Sequence, residues 1–279
     1  MKCWRKPATQ VRWCDWARSA GVSPAVAGAS RSRKTHGQDA RATAGETPAL
    51  PGKLRNEKVD TPAAYDLPHF IAVEGPIRVG KTTLANILAE RLHAVRVHDA
   101  EDNPFLEAFY QERPGAGFQA QLYFLMKRYT QLRDLDLAPN PKRVVVSDYI
   151  FEKDKIFAYL NLNDTELQVY DQYYKILAEQ APIPDLVIYL QVKLETLRKR
   201  IEKKGVPFED RISDEYLAAV VNAYDHFFFH YKSSDLLVID TSEIDFVDRS
   251  EHLQEVLQRL SQPVKGTQYF LPLGSAPAD

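Results

Sequence analysis

Residues 75–82 read Gly75-Pro76-Ile77-Arg78-Val79-Gly80-Lys81-Thr82, a run that fits G-x-x-x-x-G-K-[ST] and continues into Thr83. That spacing suits one task, the holding of a chain of phosphates. Gly75 and Gly80 permit backbone angles closed to other residues, so successive N–H groups turn inward around an anion. A helix opening at the second glycine adds its positive end. Lys81 then neutralises the outer phosphates, and the Thr82 hydroxyl is placed to ligate Mg²⁺. An accidental glycine-rich turn would need neither that lysine nor that threonine at those offsets. Arg78 puts a long cation where a small side chain fits more easily, either to reach a phosphate or to point to solvent.

The elements needed to hold such a loop are legible around it. Short apolar, β-branched runs at Phe70–Glu74, Val95–His98, Val144–Asp148, Leu186–Leu190 and Leu236–Asp240 predict five strands. The intervals carry helix-like patterns at Gly80–His93, Asn103–Gln111, Phe118–Leu137, Glu152–Leu160, Asp164–Glu179, Lys193–Lys203, Ser213–Tyr231 and Arg249–Ser261. Strands separated by helices pair in parallel and bury both faces, because a parallel neighbour requires a crossover connection. The expected fold is therefore α/β: a P-loop NTPase-type five-stranded parallel sheet with helices on both faces and a short basic lid near Lys199–Lys204. The phosphate loop falls between the first strand and the first helix, the placement that its chemistry requires.

Composition separates two materials. Of the 279 residues, 1–60 hold twelve Lys/Arg against five Asp/Glu, and the remaining 24 Lys/Arg face 33 Asp/Glu, so a net charge of −2 is a cancellation. Residues 1–60 are rich in Ala, Gly, Ser, Thr, Pro and Arg and show no sustained period, which reads as a disordered basic extension. A nucleic-acid-binding tail, an organelle transit peptide and an inert extension compete for that segment; a secretory signal lacks its apolar core. Without aromatic interleaving or a binding motif, the inert extension is preferred, with no nucleic-acid partner. Residues 61–279 make one α/β domain. No apolar run approaches a membrane span. Cys3 and Cys14 match neither a metal spacing nor a disulfide framework, and the reading is a reducing, cytoplasmic setting.

A phosphate loop names no enzyme by itself. A GTPase would carry an N-K-x-D motif after a later strand, and a large motor or transporter ATPase would have a strand ending in paired acids; neither is found. A small kinase remains. Here the sequence resembles the deoxynucleoside kinase family, in particular its bacterial deoxyadenosine/deoxyguanosine kinase branch, from Phe70 to about Leu260. The resemblance rests on Val73-Glu74-Gly75-Pro76-Ile77, Asp102-Asn103-Pro104-Phe105-Leu106, Phe109-Tyr110, Gln121-Leu122-Tyr123-Phe124 with Arg128, Ser147 through Lys153, Arg200 through Gly205, and Ile244-Asp245-Phe246-Val247.

The resemblance implies ATP and Mg²⁺ as reaction partners, a deoxynucleoside as acceptor, and a homodimer through the helices at 118–137 and 164–179. It implies that Tyr110 and Glu209 hold the sugar 3′-hydroxyl and that Gln121 reads the base by a two-point hydrogen bond, with Arg128 two turns further along the same helix face. Arg200 and Lys204 match lid cations that close on phosphate, although a basic helix end before Gly205 would be stabilising in any protein. Asp245 and Phe246 match the loop that brackets the adenine of ATP. Two departures are visible. The family's catalytic carboxylate falls at His98, so Asp99 is the preferred base, with His98 as substitute and Glu101 third. An acidic-Arg-Ser run after the third strand reads Ser147-Asp148-Tyr149 here, which leaves Asp148 as the metal-side acid, with Arg78 or the lid cations replacing the lost arginine charge. A base-reading aspartate of the family falls at Lys153, which leaves base preference open. The alternatives are a thymidylate-type nucleoside monophosphate kinase and a catalytically silent nucleotide-binding protein.

Overall fold

The computed structural model describes residues 68–272 apart from 101, 112, 136, 138–142 and 206–211. The expected extension 1–60, and with it Glu101 and Glu209, lies outside the described residues. The strands are β1 (Phe70–Glu74), β2 (Val95–Val97), β3 (Val145–Ser147), β4 (Leu186–Gln191), β5 (Asp235–Asp240) and β6 (Thr267–Phe270). Between them lie α1 (Lys81–Leu92), α2 (Leu106–Tyr110), α3 (Ala116–Arg133), α4 (Lys153–Asn161), α5 (Asp164–Ala178), α6 (Leu194–Lys204), α7 (Asp214–Phe229) and α8 (Ser250–Leu260).

The sheet order is β2-β3-β1-β4-β5-β6, and every pairing is parallel. Period-two alternation sends side chains to opposite faces. Ile71 and Val73 of β1, Ile188 and Leu190 of β4, and Leu237 and Ile239 of β5 pack with Leu84, Leu197, Ile201 and Val256 of α1, α6 and α8. The intervening Ala72, Val187, Tyr189, Leu236 and Val238 pack with Ile156, Tyr224 and Phe227 of α4 and α7. Phe70 and Val145 meet Leu125 and Leu132 of α3 and Tyr170 of α5. Helices thus cover both faces, as the strand spacing requires.

The sheet has six strands where five were expected. β6 escaped because Thr-Gln-Tyr-Phe is no apolar run: it is an edge strand with alternate residues exposed, and it pairs on one side only, Leu236 opposite Thr267 through Ile239 opposite Phe270. β2 and β3 are also shorter than expected, so His98, Asp99 and Asp148 stand in the turns just past the strand ends. In an open parallel sheet, that carboxyl edge is where ligands bind.

Glu74, the last residue of β1, is fully buried and accepts hydrogen bonds from Gly75 N (2.9 Å), Ile150 N (3.0 Å) and the Tyr224 hydroxyl (3.1 Å). It fixes the first peptide of the phosphate loop to the turn after β3 and to α7. Gly75 itself has φ +153°, and a Cβ there would sit 2.5 Å from the carbonyl oxygen of Leu190 in β4. The obstacle is sheet backbone, which yields poorly. Gly75→Ala is expected to cost about 2–3 kcal/mol, seen as a lower urea midpoint at unchanged slope; a loss under about 0.5 kcal/mol, the range of a surface substitution, would show that the loop shifts freely.

Candidate active site

The loop between β1 and α1 carries the phosphate chemistry. Gly80 is left-handed at φ +106°, and a Cβ there would meet the Phe246 ring at 2.6 Å, so this glycine also admits the aromatic that packs over the loop. Arg78, not a glycine, is likewise left-handed at φ +59°. No side chain caps the N-terminus of α1 and no acid stands in its first turn, which leaves its partial positive charge facing the loop. Lys81 Nζ curls back to donate to the Pro76 carbonyl at 2.9 Å. Burial first, and the nearby charge of Lys153 second, lower its pKa to about 8. An ammonium in that condition gains from any anion placed beside it.

Two cavities open at this edge of the sheet. One, of about 570 Å³, is lined by 77–83 together with Asp148, Arg200, Lys203, Lys204, Asp245 and Phe246. The other, of about 240 Å³, is lined by Phe109, Tyr110, Gln121, Phe124, Arg128 and Tyr216 among others. Ile77, Lys81, Asp99 and Lys153 line both. A cation-rich hollow therefore meets an aromatic-walled one at a junction of two ammoniums and a carboxylate.

The junction is held by a buried ionic network. Arg128 grips Asp99 through Nε (2.8 Å) and Nη2 (3.0 Å), and its Nη1 pairs with Asp154. Lys153 Nζ reaches the same Asp99 at 2.6 Å. Asp154, fully buried, also accepts from the Gln121 amide (2.9 Å) and the Tyr170 hydroxyl (2.7 Å). Burial works to raise the Asp99 pKa, but the charges and hydrogen bonds of Lys153 and Arg128 prevail and hold the carboxyl well below the usual carboxylate range. For Asp154 burial prevails over Arg128 and Tyr170, and the carboxyl is pushed up to about 6. On the phosphate side, Thr82 donates to Asp148 at 2.7 Å, Asp148 accepts the Asp99 backbone N–H at 2.7 Å, and His98 Nδ1 lies 3.4 Å away.

A deoxynucleoside kinase family model matches residues 71–265 of this sequence. The chain belongs to the deoxynucleoside kinase family. It is 34% identical over 199 residues to the deoxyguanosine kinase of Bacillus subtilis (strain 168), covering 69% of this chain and 96% of the relative. It is 30% identical over 210 residues to the deoxyadenosine kinase of Lactobacillus acidophilus, covering 70% and 96% respectively. The solved structure of deoxyadenosine kinase from M. mycoides with bound dATP aligns with a TM-score of 0.59 at 25% identity, over 69% of this chain and all of that one. This member of the family is accordingly a phosphotransferase acting on deoxynucleosides.

Within the kinase, the structure gathers most of the residues singled out by sequence. Gly80, Lys81, Thr82, Thr83, Asp99, Asp148, Arg200, Lys204, Asp245 and Phe246 share the larger cavity, and Tyr110, Gln121 and Arg128 share the smaller. Several are used differently from the expectation. The Gln121 amide nitrogen donates to both the backbone (2.8 Å) and the side chain of Asp154, so its donor side is taken and its oxygen is what remains for a base. The Arg128 guanidinium is spent on two carboxylates. Arg200 donates to the Thr241 (2.6 Å) and Ile244 (2.8 Å) carbonyls, bracing the loop after β5 instead of reaching freely into the cavity. Tyr149 offers no cation, and its fully buried ring donates its hydroxyl to Gln131 at 3.1 Å.

The aspartate expected to read the base was placed at Lys153; Asp154, one residue on, is the carboxylate beside Gln121 and Arg128. Sequence reasoning missed it because an acid in the first turn of a helix is ordinarily a solvated partner of the helix dipole. Only its burial reveals another use. Removing the shared cation tests the network: Arg128→Leu leaves the fully buried Asp154 without its cation and Asp99 with Lys153 alone, and is expected to cost about 3–5 kcal/mol. Arg128→Lys should recover only part of this, since a point charge spans both carboxylates poorly. A leucine variant with the unaltered thermal midpoint would overturn the assignment.

Proposed function

We propose that this kinase moves the γ-phosphoryl group of ATP to the 5′-hydroxyl of a purine deoxynucleoside. The meeting of two cavities at Lys81, Asp99 and Lys153 carries the reading, because in-line transfer needs donor phosphate and acceptor hydroxyl at one point. Residues 75–83 hold the triphosphate, and Asp245 and Phe246 flank the adenine. Tyr110, with Glu209, takes the 3′-hydroxyl, and the Gln121 oxygen and the Arg128–Asp154 pair face the base. Asp99 orients the attacking hydroxyl, with His98 beside it. Purines are favoured because the relatives bear the names deoxyguanosine kinase and deoxyadenosine kinase.

The donor set near the loop fits Mg²⁺: the Thr82 hydroxyl and Asp148 carboxylate are hard oxygens 2.7 Å apart on the phosphate wall, and Mg²⁺ commonly takes one or two protein oxygens and completes its shell with phosphate and water. Bound there, the ion would neutralise charge developing on the bridging oxygens. An acceptor that already carries phosphate, as in a thymidylate-type kinase, is disfavoured, because Arg128 in the smaller cavity is neutralised by Asp99 and Asp154.

The working form is proposed as a cytoplasmic homodimer. Met126 on α3 and Val169, Tyr173 and Ile176 on α5 are exposed apolar residues on the two helices expected to pair. Among the described residues no helix is long and apolar enough to cross a membrane.

A substrate panel tests the assignment. ADP release should be stimulated by deoxyguanosine or deoxyadenosine and not by dTMP, and Lys81→Ala should lower kcat/KM on the order of 100-fold or more. Stimulation by dTMP alone would favour the monophosphate kinase, and no stimulation by any deoxynucleoside would leave a nucleotide-binding protein.

A further inference from the structure

Lys153 is buried, 8% exposed, in the first turn of α4, yet it lines both cavities. Among the described residues its hydrogen-bond partner is Asp99, through one of the three N–H groups that an ammonium carries. Two donors remain at a place where solvent is scarce. Burial pulls its pKa down, but the charges of Asp99 and Glu74 prevail and hold the ammonium above the usual lysine range, so it is charged at neutral pH. Its charge is felt at Lys81, where it is the second cause of the lowered pKa. Two like charges confined at one junction repel, and an anion between them relieves both the repulsion and the unspent donors.

We infer that Lys153 is a second catalytic cation, one that contacts the phosphoryl group in flight from the acceptor side while Lys81 holds it from the donor side. The inference rests on the kinase reading above. In the transfer, the bond from the γ-phosphorus to the β–γ bridging oxygen breaks and its electron pair leaves with ADP. A bond forms from the 5′-oxygen to that phosphorus, and the hydroxyl proton passes late to the Asp99 carboxylate. The three equatorial oxygens carry the charge between these events. Lys81, reaching over the loop to Pro76, stands on one side of them. Lys153, anchored to the carboxylate that orients the acceptor, stands on the other and couples acceptor position to charge stabilisation. Its long flexible stem and rotatable donors suit a contact that forms only as the phosphoryl moves.

The test uses the full chain with Lys153→Met and Lys153→Arg, with Lys153→Gln in parallel to keep a hydrogen bond to Asp99 should the methionine variant fail to fold. Steady-state kinetics and calorimetric titration of deoxynucleoside, ATP and ADP separate the possible roles. The expected result for Lys153→Met is a kcat lower on the order of 100-fold. Deoxynucleoside Kd should move by less than about threefold, and the preference for ATP over ADP should shrink about tenfold. Arginine should restore kcat to within about tenfold of the unaltered protein. A kcat that stays within about threefold overturns the inference, as does a kcat loss matched by an equal loss of deoxynucleoside affinity with ATP/ADP discrimination intact, which would make Lys153 only a support for Asp99. If the unaltered protein turns over none of four deoxynucleosides, the kinase reading falls and this inference with it; turnover by the unaltered protein alongside a fully active methionine variant removes this inference alone.

Discussion

The site depends on one buried guanidinium. Arg128 projects from α3 between Asp99, in the turn after β2, and Asp154, at the start of α4, and Gln121 and Tyr170 satisfy the far carboxylate from α3 and α5. Taking these charges out of water is expensive, and an apolar cluster of the same volume would be at least as stable. What the ions supply is direction. A guanidinium fork donates to carboxylates only in its plane, so the turn after β2 and the start of α4 are placed relative to α3 with a precision that packing alone would not impose. Both cavities take their shared wall from that placement.

The same arrangement divides the electrostatics. Around the smaller cavity the charges of Arg128, Asp99 and Asp154 close on one another, leaving an aromatic lining whose remaining cations, Lys81 and Lys153, stand at the junction with the larger one. Around the larger one Lys81, Lys204 and the open end of α1 face the hollow. Arg200 is lent to the loop after β5, where its bonds to Thr241 and Ile244 keep Phe246 against Gly80. Glu74 does the corresponding work beneath, tying Gly75 to Ile150. An uncharged acceptor and a polyanionic donor are thus sorted before either meets the junction.

What could be read from sequence follows from the range of the physics involved. The phosphate loop was legible because its constraints are local: two glycines at forced angles, a lysine and a threonine at fixed offsets. Five strands were legible because each buries a short apolar run; β6 was not, because an edge strand that pairs once and packs on one side needs no such run. Gln121, Arg128 and Tyr110 could be placed in one pocket through family resemblance. Which hydrogen bonds they make could not, because Asp154 lies 33 residues from Gln121 and its pairing is set by how α4 lands on α3. The loss of an arginine from the run Ser147-Asp148-Tyr149 was visible, while the cation that stands closest to Asp99 from α4, Lys153, looked only like a displaced aspartate.

On the proposed reading, the network also bears on what Asp99 does. A general base works best when its pKa lies near the operating pH, and two cations hold this carboxyl well below the usual range. It is therefore a poor proton acceptor early in the reaction. Phosphoryl transfer through a loose transition state asks little of a base until the new bond is largely made, when the hydroxyl has become acidic. A carboxylate fixed by a guanidinium and an ammonium is suited to the earlier need, which is to accept one hydrogen bond and aim the hydroxyl oxygen along the line of attack. The geometry thus favours orientation over abstraction, and the ion pairs that weaken Asp99 as a base are the ones that make it a rigid guide.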